Sequence, residues 1–349
     1  MKNINPLGLF DDHFIMEKLT KLGDPLEKLN DYIEWGVFQA PLDKAFENTQ
    51  QDKAKGGRPS FDRLMMFKGL IVQGLYNLSD DQLEYQILDR ASFKRFLGLK
   101  KSDKVPDSKT FWAFREQLVD KGVIEAMFQT FNETLDAAGV FANEGKMVDA
   151  SFVEAPRQRN TRGENRHIKE TGTAPENWKG NPHKLCQKDI DARWTKKNFV
   201  TFYGYKNHIK ADTKTKLIEK YIVTDASVHD SQAIEGLLTE KDEGQPLYAD
   251  SAYGGEEQQK TYEKKKVIDC VHEKGYRNKP LTDKQKADNR EKSKIRARVE
   301  HVFGFVENSM NRSIVRTIGI TRASAKIGMM NLVYNINRCV QLKIKVPMG

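Results

Sequence analysis

Three carboxylates, Asp149, Asp250 and Glu300, stand where an acid either costs free energy or has a purpose. Asp149 lies inside the strand-like run Met147-Val148-Asp149-Ala150-Ser151-Phe152-Val153. An ionised side chain in the interior of a strand is expensive unless it has a partner such as a metal ion. Asp250 directly follows the short strand Leu247-Tyr248-Ala249, and Glu300 falls on a helix that carries Val299, Val302, Phe303 and Val306. Such a set suits the breaking and remaking of a phosphodiester, which needs an activated water or 3′-hydroxyl on one side and a stabilised leaving oxygen on the other. Two magnesium ions about 3.5 to 4 Å apart do both. Magnesium takes hard oxygen ligands and keeps several waters, so a few carboxylates and the scissile phosphate suffice and no histidine cluster is required. The plainer alternative stands beside this one. With 49 acidic residues in the chain, an Asp at a strand end or a Glu on a basic helix is commonly a cap or a surface ion pair.

The elements that must position these acids can be read from periodicity. After the 147–153 run come a second strand, 199–211, and a third, 217–224, joined by the polar turn Asp212-Thr213-Lys214-Thr215-Lys216 as a hairpin. Ser231 has the form of an N-cap for a helix with Ile234, Leu237 and Leu238. Strand 247–249 follows, then Gly254-Gly255, a charged helix, a fifth strand at 267–271, and the helix of Glu300. The order strand, strand, strand, helix, strand, helix, strand, helix looks like the ribonuclease H-like fold. There the first and fourth strands lie side by side in parallel, and open sheets collect ligands at the carboxyl ends near such a switch in strand order.

The first half reads differently. Residues 61–76 place Phe61, Leu64, Met65, Ile71, Val72 and Leu75 at helical spacing, and Ser79-Asp80-Asp81-Gln82 is a capping box before Leu83 and Ile87. Gly98 lies near the end of that helical region, and Pro106-Asp107-Ser108 starts another helix. Ile124, Met127, Phe128, Phe131 and Leu135 form a stripe closed by Gly139. Short helices joined by tight turns, with Lys94, Arg95, Lys100, Lys101 and Lys104 near one junction, suit a major groove. A solvated basic face explains those cations equally well.

The fold class expected is therefore α+β / α/β: a ribonuclease H-like domain, with a mixed five-stranded sheet and flanking helices, preceded by an all-helical DNA-binding domain. The boundaries read are 1–60 for an N-terminal helical segment and linker, 61–143 for the helical domain, and 144–349 for the catalytic domain. A polar, loosely packed insertion is expected at 155–198, and the polar segment 50–60 reads as the linker.

Composition sets limits. The 349 residues suffice for a proper core, and 58 Lys and Arg against 49 Asp and Glu leave a net charge of +9, a weak vote for polyanionic partners. Three scattered cysteines, Cys186, Cys270 and Cys339, exclude a disulfide framework and a CxxC zinc site. No continuous apolar stretch marks a signal peptide in residues 1–10 or a membrane span elsewhere, and a cytoplasmic, nucleoid-associated location is expected. Residues 274–298 hold ten Lys or Arg against three Asp or Glu, just before Glu300, which favours contact with a DNA backbone. Between the first two strands, Arg157, Arg159, Arg162, Arg166, Trp178 and Trp194 mix charge with aromatic surface as a DNA clamp would.

An ordered set of motifs resembles the DDE transposases of the bacterial insertion-sequence-five group, over about residues 58–338. They are Arg58-Pro59-Ser60-Phe61, Val105-Pro106-Asp107-Ser108-Lys109-Thr110-Phe111, Val148-Asp149-Ala150-Ser151, Tyr203-Gly204-Tyr205-Lys206-Asn207-His208, Val228-His229-Asp230-Ser231, Ala249-Asp250-Ser251-Ala252-Tyr253 and Arg296-Ala297-Arg298-Val299-Glu300-His301. The resemblance implies that Asp149, Asp250 and Glu300 are the catalytic residues and the ligands of two Mg2+ ions, with Mn2+ as a substitute. It sets His229, Asp230, Lys206, Arg296 and Arg298 nearby, as supports of those ligands or grips on DNA phosphate; that Asp230 and Ser231 simply begin a helix is the alternative. Related transposases carry Tyr, Arg, Glu and Lys at fixed intervals in the last motif. Here Arg296 and Glu300 match, while Ser293 and Glu307 stand where Tyr and Lys would be and His301 replaces a frequent Arg.

The function implied is a DNA transposase. It binds terminal inverted repeats, cleaves at the element ends and joins the 3′-hydroxyls to target DNA, as a homodimer in the synaptic complex and without a membrane. A structure-selective nuclease on the same fold and a non-catalytic DNA-binding regulator derived from a transposase are the alternatives.

Overall fold

The computed structural model describes residues 11–47, 60–155, 158–197, 199–310 and 314–347. Two compact units divide the chain, one of Met1–Ala138 with Ile336–Gly349, the other of Gly139–Asn335. The linker reading at 50–60, the Arg58-Pro59 motif and Arg157 fall outside the described residues, apart from Ser60.

The first unit is helical: α1 (Asp11–Leu22), α2 (Pro25–Tyr32), α3 (Gln39–Phe46), α4 (Arg63–Tyr76), α5 (Asp80–Asp89), α6 (Ala91–Leu97), α7 (Ser108–Asp120) and α8 (Val123–Ala137). The Ser79 capping box forms as expected, with the Ser79 Oγ accepting from the Gln82 amide at 3.2 Å and Gln82 Oε1 from the Ser79 amide at 2.9 Å. Phe38, fully buried, stacks on Phe131 at 5.6 Å and tilts against Phe67 at 4.8 Å, so the segment before residue 60 joins the same core. The single helical region read over 79–98 is broken at Arg90, whose extended backbone caps α5 and opens α6. Gly98, with φ +73°, ends α6 in the left-handed region that glycine tolerates best. Arg95 does not wait for DNA: its guanidinium donates to Asp24 at 2.5 Å and Glu27 at 3.2 Å.

The second unit is built on a six-stranded sheet: β1 (Lys146–Glu154), β2 (Arg193–Lys197), β3 (Val200–Asp212), β4 (Ile218–Asp225), β5 (Pro246–Tyr248) and β6 (Ile268–Asp269). β4, β3, β1, β5 and β6 run across it in that order, antiparallel in the first two pairings and parallel in the last two. This is the ribonuclease H-like arrangement. The sixth strand, β2, corrects the expected five: it pairs with the first residues of β3 and belongs to the insertion. One apolar cluster joins Val148, Leu247 and Ala249 to Ile234, Leu237 and Tyr262, from α12 (Ile234–Leu237) and α13 (Glu256–Lys265). Another joins Val153, Tyr203 and Tyr205 to Ala323 and Ile327 of α16 (Ile320–Gln341).

The insertion is folded rather than loose. It contains α9 (Arg162–Thr171), α10 (Glu176–Lys179) and α11 (Pro182–Gln187). Trp178 is wholly buried and donates its indole N–H to Glu164 at 2.7 Å, and the Trp194 indole donates to the Asn160 carbonyl at 2.6 Å. Both tryptophans therefore hold the insertion together, Trp178 fully buried and Trp194 partly so. Asp189 anchors its end, accepting from the Tyr205 hydroxyl at 2.6 Å and the Gly319 amide at 3.1 Å.

The Tyr203–His208 motif resolves into packing. A Cβ on Gly204, at φ +146°, would run into the Val153 carbonyl oxygen and the Ala155 amide nitrogen of the neighbouring strand. Asn207 exchanges side-chain hydrogen bonds with Asn331 of α16 at 2.8 and 3.1 Å, and His208 Nε2 meets the Thr224 hydroxyl at 2.9 Å. The Asn207 amide is satisfied from α16 and His208 Nε2 across the sheet, whereas His208 Nδ1 and the Tyr203 hydroxyl are buried without a hydrogen-bond partner. Among the described residues no helix is long and apolar enough to cross a membrane.

Candidate active site

β1 delivers Asp149 from its fourth position. Met147 of β1 stands opposite Tyr248 of β5 in parallel register, and two residues further along each chain come Asp149 and Asp250. The third acid arrives on a long helical segment: α14 (Asp283–Arg296), a 3-10 turn over Ala297–Val299, and α15 (Glu300–Gly304). α14 packs against β1 and β5. Val299, Val302, Phe303 and Val306 bury one side of the segment, which leaves Glu300 on its exposed side. Asp149, Asp250 and Glu300 line one cavity of about 870 Å³, together with Arg296, Phe152, Phe202 and Lys197.

Asp149 is the most deeply set of the three, at 7% exposure. Its Oδ1 accepts from the Ala150 amide at 2.8 Å and its Oδ2 from Arg296 Nη1 at 3.1 Å. Burial pushes its carboxyl up to about 6, and the charges of Asp250 and Glu300 add to the rise, against the opposing pull of the Ala150 amide and Arg296. Asp250 also serves as a cap, accepting from the Ala252 amide at 2.8 Å at the start of the turn Ser251–Tyr253. The cap and cavity roles of this residue are thus both met.

Of the neighbours expected around the acids, Arg296 is the one that reaches them. Arg298 instead donates to the Thr213 carbonyl at 3.2 Å. Lys206 and Asp230 form a buried ion pair at 2.8 Å, and Lys206 also donates to the Val228 carbonyl at 2.6 Å. His229, not Ser231, caps the turn Asp230–Ala233, its Nδ1 accepting from the Ser231 amide at 3.3 Å and meeting the Ser231 hydroxyl at 2.8 Å. A helical turn does begin at Asp230, with its cap two residues before the expected Ser231.

Two features of the site are not evident from the sequence. Phe152 of β1 and Phe202 of β3 stack at 4.2 Å, nearly parallel, on the cavity wall. Tyr253 is wholly buried beside Val148 and Ala249, with its hydroxyl unpartnered. The signal for the phenylalanines is their alternation with core positions on paired strands; for Tyr253 it is its place three residues after Asp250.

Among the described residues no group of three or more His, Cys, Asp or Glu side chains is placed to hold a metal ion as it stands; Arg296 supplies the positive charge beside Asp149 instead. The donor set nevertheless suits hard divalent ions. Three carboxylates face one cavity, and in a two-ion site each ion needs only one or two of them besides phosphate oxygens and water.

Residues 143–336, more than half of the chain, match the family model described as "Transposase DDE domain", and residues 14–117 match one described as "Transposase domain (DUF772)". Among solved structures the chain is similar to the piggyBac transposase in a synaptic complex with hairpin DNA. The TM-score is 0.44 and the identity 10%, over 92% of this chain and 74% of that one.

Proposed function

Because the chain belongs to the DDE transposase family, whose members are metal-dependent enzymes that cleave DNA and transfer its strands, we propose that Asp149, Asp250 and Glu300 are its catalytic acids. The observation that carries the reading is their convergence from β1, the turn after β5 and α15 on one cavity. Bound there, two Mg2+ ions, or Mn2+ in their place, would activate the attacking oxygen and stabilise the leaving one.

The chain's own residues do the rest. Asp149, whose negative charge Arg296 balances through one hydrogen bond, would hold a divalent ion with the other two acids, and Arg296, which also lines the cavity, is placed to donate to a DNA phosphate. α14, with no buried residue and a basic surface, leads the DNA backbone towards Glu300. Lys206 and Asp230 support the site from beneath as a buried pair.

The substrates proposed are the terminal inverted repeats of a mobile element and a target duplex, held by two copies of the chain in the cytoplasm beside the nucleoid. The ordered motifs support membership of the insertion-sequence-five group, and residues 61–143 are assigned the reading of end sequences. Incubating the protein with end DNA and Mg2+, then mapping nicks and joined products, tests the whole reading. Joined strands support transposition, nicks without joining support the nuclease alternative, and binding without either supports the regulator.

A second result is expected from salt. Replacing Arg290 and Lys294 of α14 with Ala should weaken binding to any DNA sequence. It should also make the fall of log affinity with log salt shallower by about 0.9 for each phosphate that the variant no longer neutralises. An unchanged slope in fluorescence anisotropy titrations would remove α14 from the DNA path.

A further inference from the structure

Phe199 is the most exposed large apolar side chain among the described residues, at 94%. It sits at the tip of the β2–β3 hairpin, where the pairing of Lys197 with Val200 leaves two residues for the turn. Phe199 is the second of these, and its φ is +66°. A two-residue turn with a positive φ at that place favours glycine, and a bulky ring there carries backbone strain of the kind that collects at ligand-binding positions. Core packing does not explain the ring, because almost none of it is covered.

The surroundings point to the ligand. Val200, next along the chain, is 55% exposed, and the Lys196 Nζ lies 5.5 Å from the centre of the Phe199 ring. Lys197 holds its Nζ 5.8 Å from the centre of the Phe152 ring. Lys197 and Phe202, one from each strand of the hairpin, line the cavity of Asp149, Asp250 and Glu300, so the ribbon rises from the wall of that cavity. One ring and one valine among lysines are too little apolar surface for a stable contact with another protein. A DNA groove, in contrast, admits a two-stranded ribbon and offers phosphates to its cations. Proteins that kink DNA insert apolar side chains of this kind between base pairs. We propose that Phe199 is a DNA wedge: the hairpin tip enters the duplex beside the bond that is cut, the ring slots between two neighbouring base pairs, and Lys196 and Lys197 hold the flanking phosphates. This deepens the proposed function and rests on the chain's action at DNA ends.

The test places 2-aminopurine, which brightens when it leaves the base stack, at the nucleotides flanking the mapped nick. Its fluorescence is followed as the full-length protein, Phe199→Leu or Phe199→Gly binds end DNA in EDTA. Wild type and Phe199→Leu, which keeps an apolar wedge, are expected to raise the signal. Phe199→Gly relieves the strained turn and should melt at or above the wild-type temperature, yet leave the signal low and cut paired end DNA about tenfold more slowly in Mg2+. A mismatch at the opened step should restore most of that rate, because the unstacking is then already done. A full signal with Phe199→Gly, or a slow rate that the mismatch does not relieve, would overturn the wedge. A wild-type dimer that becomes a monomer in Phe199→Gly without DNA, by sedimentation, would assign the tip to a second copy of the chain and overturn it as well. If wild type itself neither nicks nor joins end DNA in Mg2+, the reading of the site on which the wedge rests fails instead.

Discussion

Asp149→Asn, Asp250→Asn and Glu300→Gln are each expected to lower strand cleavage and joining by about a thousandfold or more, with DNA affinity nearly unchanged. A bound metal ion supplies several kcal/mol of transition-state stabilisation, and about 4 kcal/mol corresponds to roughly a thousandfold in rate. The substitutions are chosen to spare the fold. Asp149 and Asp250 each use Oδ1 to accept a backbone amide, at 2.8 Å in both cases, and an asparagine oxygen can take the same bond. Glu300 lies exposed at the start of α15, where glutamine fits as well. Single-turnover cleavage of end DNA, measured beside binding, separates chemistry from recognition. A wild-type rate in any one variant would remove that residue from the active site.

Much of this is legible in the sequence because local pattern and long-range partner agree. The β3–β4 hairpin, the Ser79 capping box and the placement of Glu300 above Val299, Val302, Phe303 and Val306 depend on residues close in sequence. What is hidden depends on distance along the chain. The insertion reads as polar because its cohesion comes from a few buried groups, Trp178 on Glu164 and Asp189 on Tyr205, whose partners lie 14 and 16 residues away. Arg95 reads as a groove contact until Asp24, 71 residues earlier, takes its guanidinium. Arg296 reads as a phosphate grip, and no spacing rule reveals that it balances Asp149 from 147 residues away. Cations near a polyanion site are ambiguous in sequence for this reason: the same side chain serves an internal carboxylate as readily as a phosphate.

The charge state of Asp149 yields the second large effect, and it runs against the usual expectation that losing a buried, bonded acid is harmful. Its folded carboxyl stands at about 6 against an ordinary 3.8, chiefly through burial. A raised carboxylate is one that the folded state would rather keep protonated, so ionisation destabilises the fold. That cost is absent below the ordinary range, grows as pH rises from about 4 to 6, and is complete above it, where it amounts to up to about 3 kcal/mol. Asp149→Asn removes the cost but strands Arg296, whose side chain is 23% exposed and can turn towards solvent, so the expected net gain is about 1–2 kcal/mol. In EDTA at pH 7.5 the variant should therefore melt a few degrees above wild type, and the gap should close as the pH is brought down to 4. Excess Mg2+ should reverse the order, because a ligand stabilises a fold according to its preference for the folded state and the wild type offers one carboxylate more. If the metal-free variant is clearly the less stable and Mg2+ raises both proteins equally, Asp149 is a structural aspartate held by Arg296, and the carboxylate site proposed for this transposase lies elsewhere.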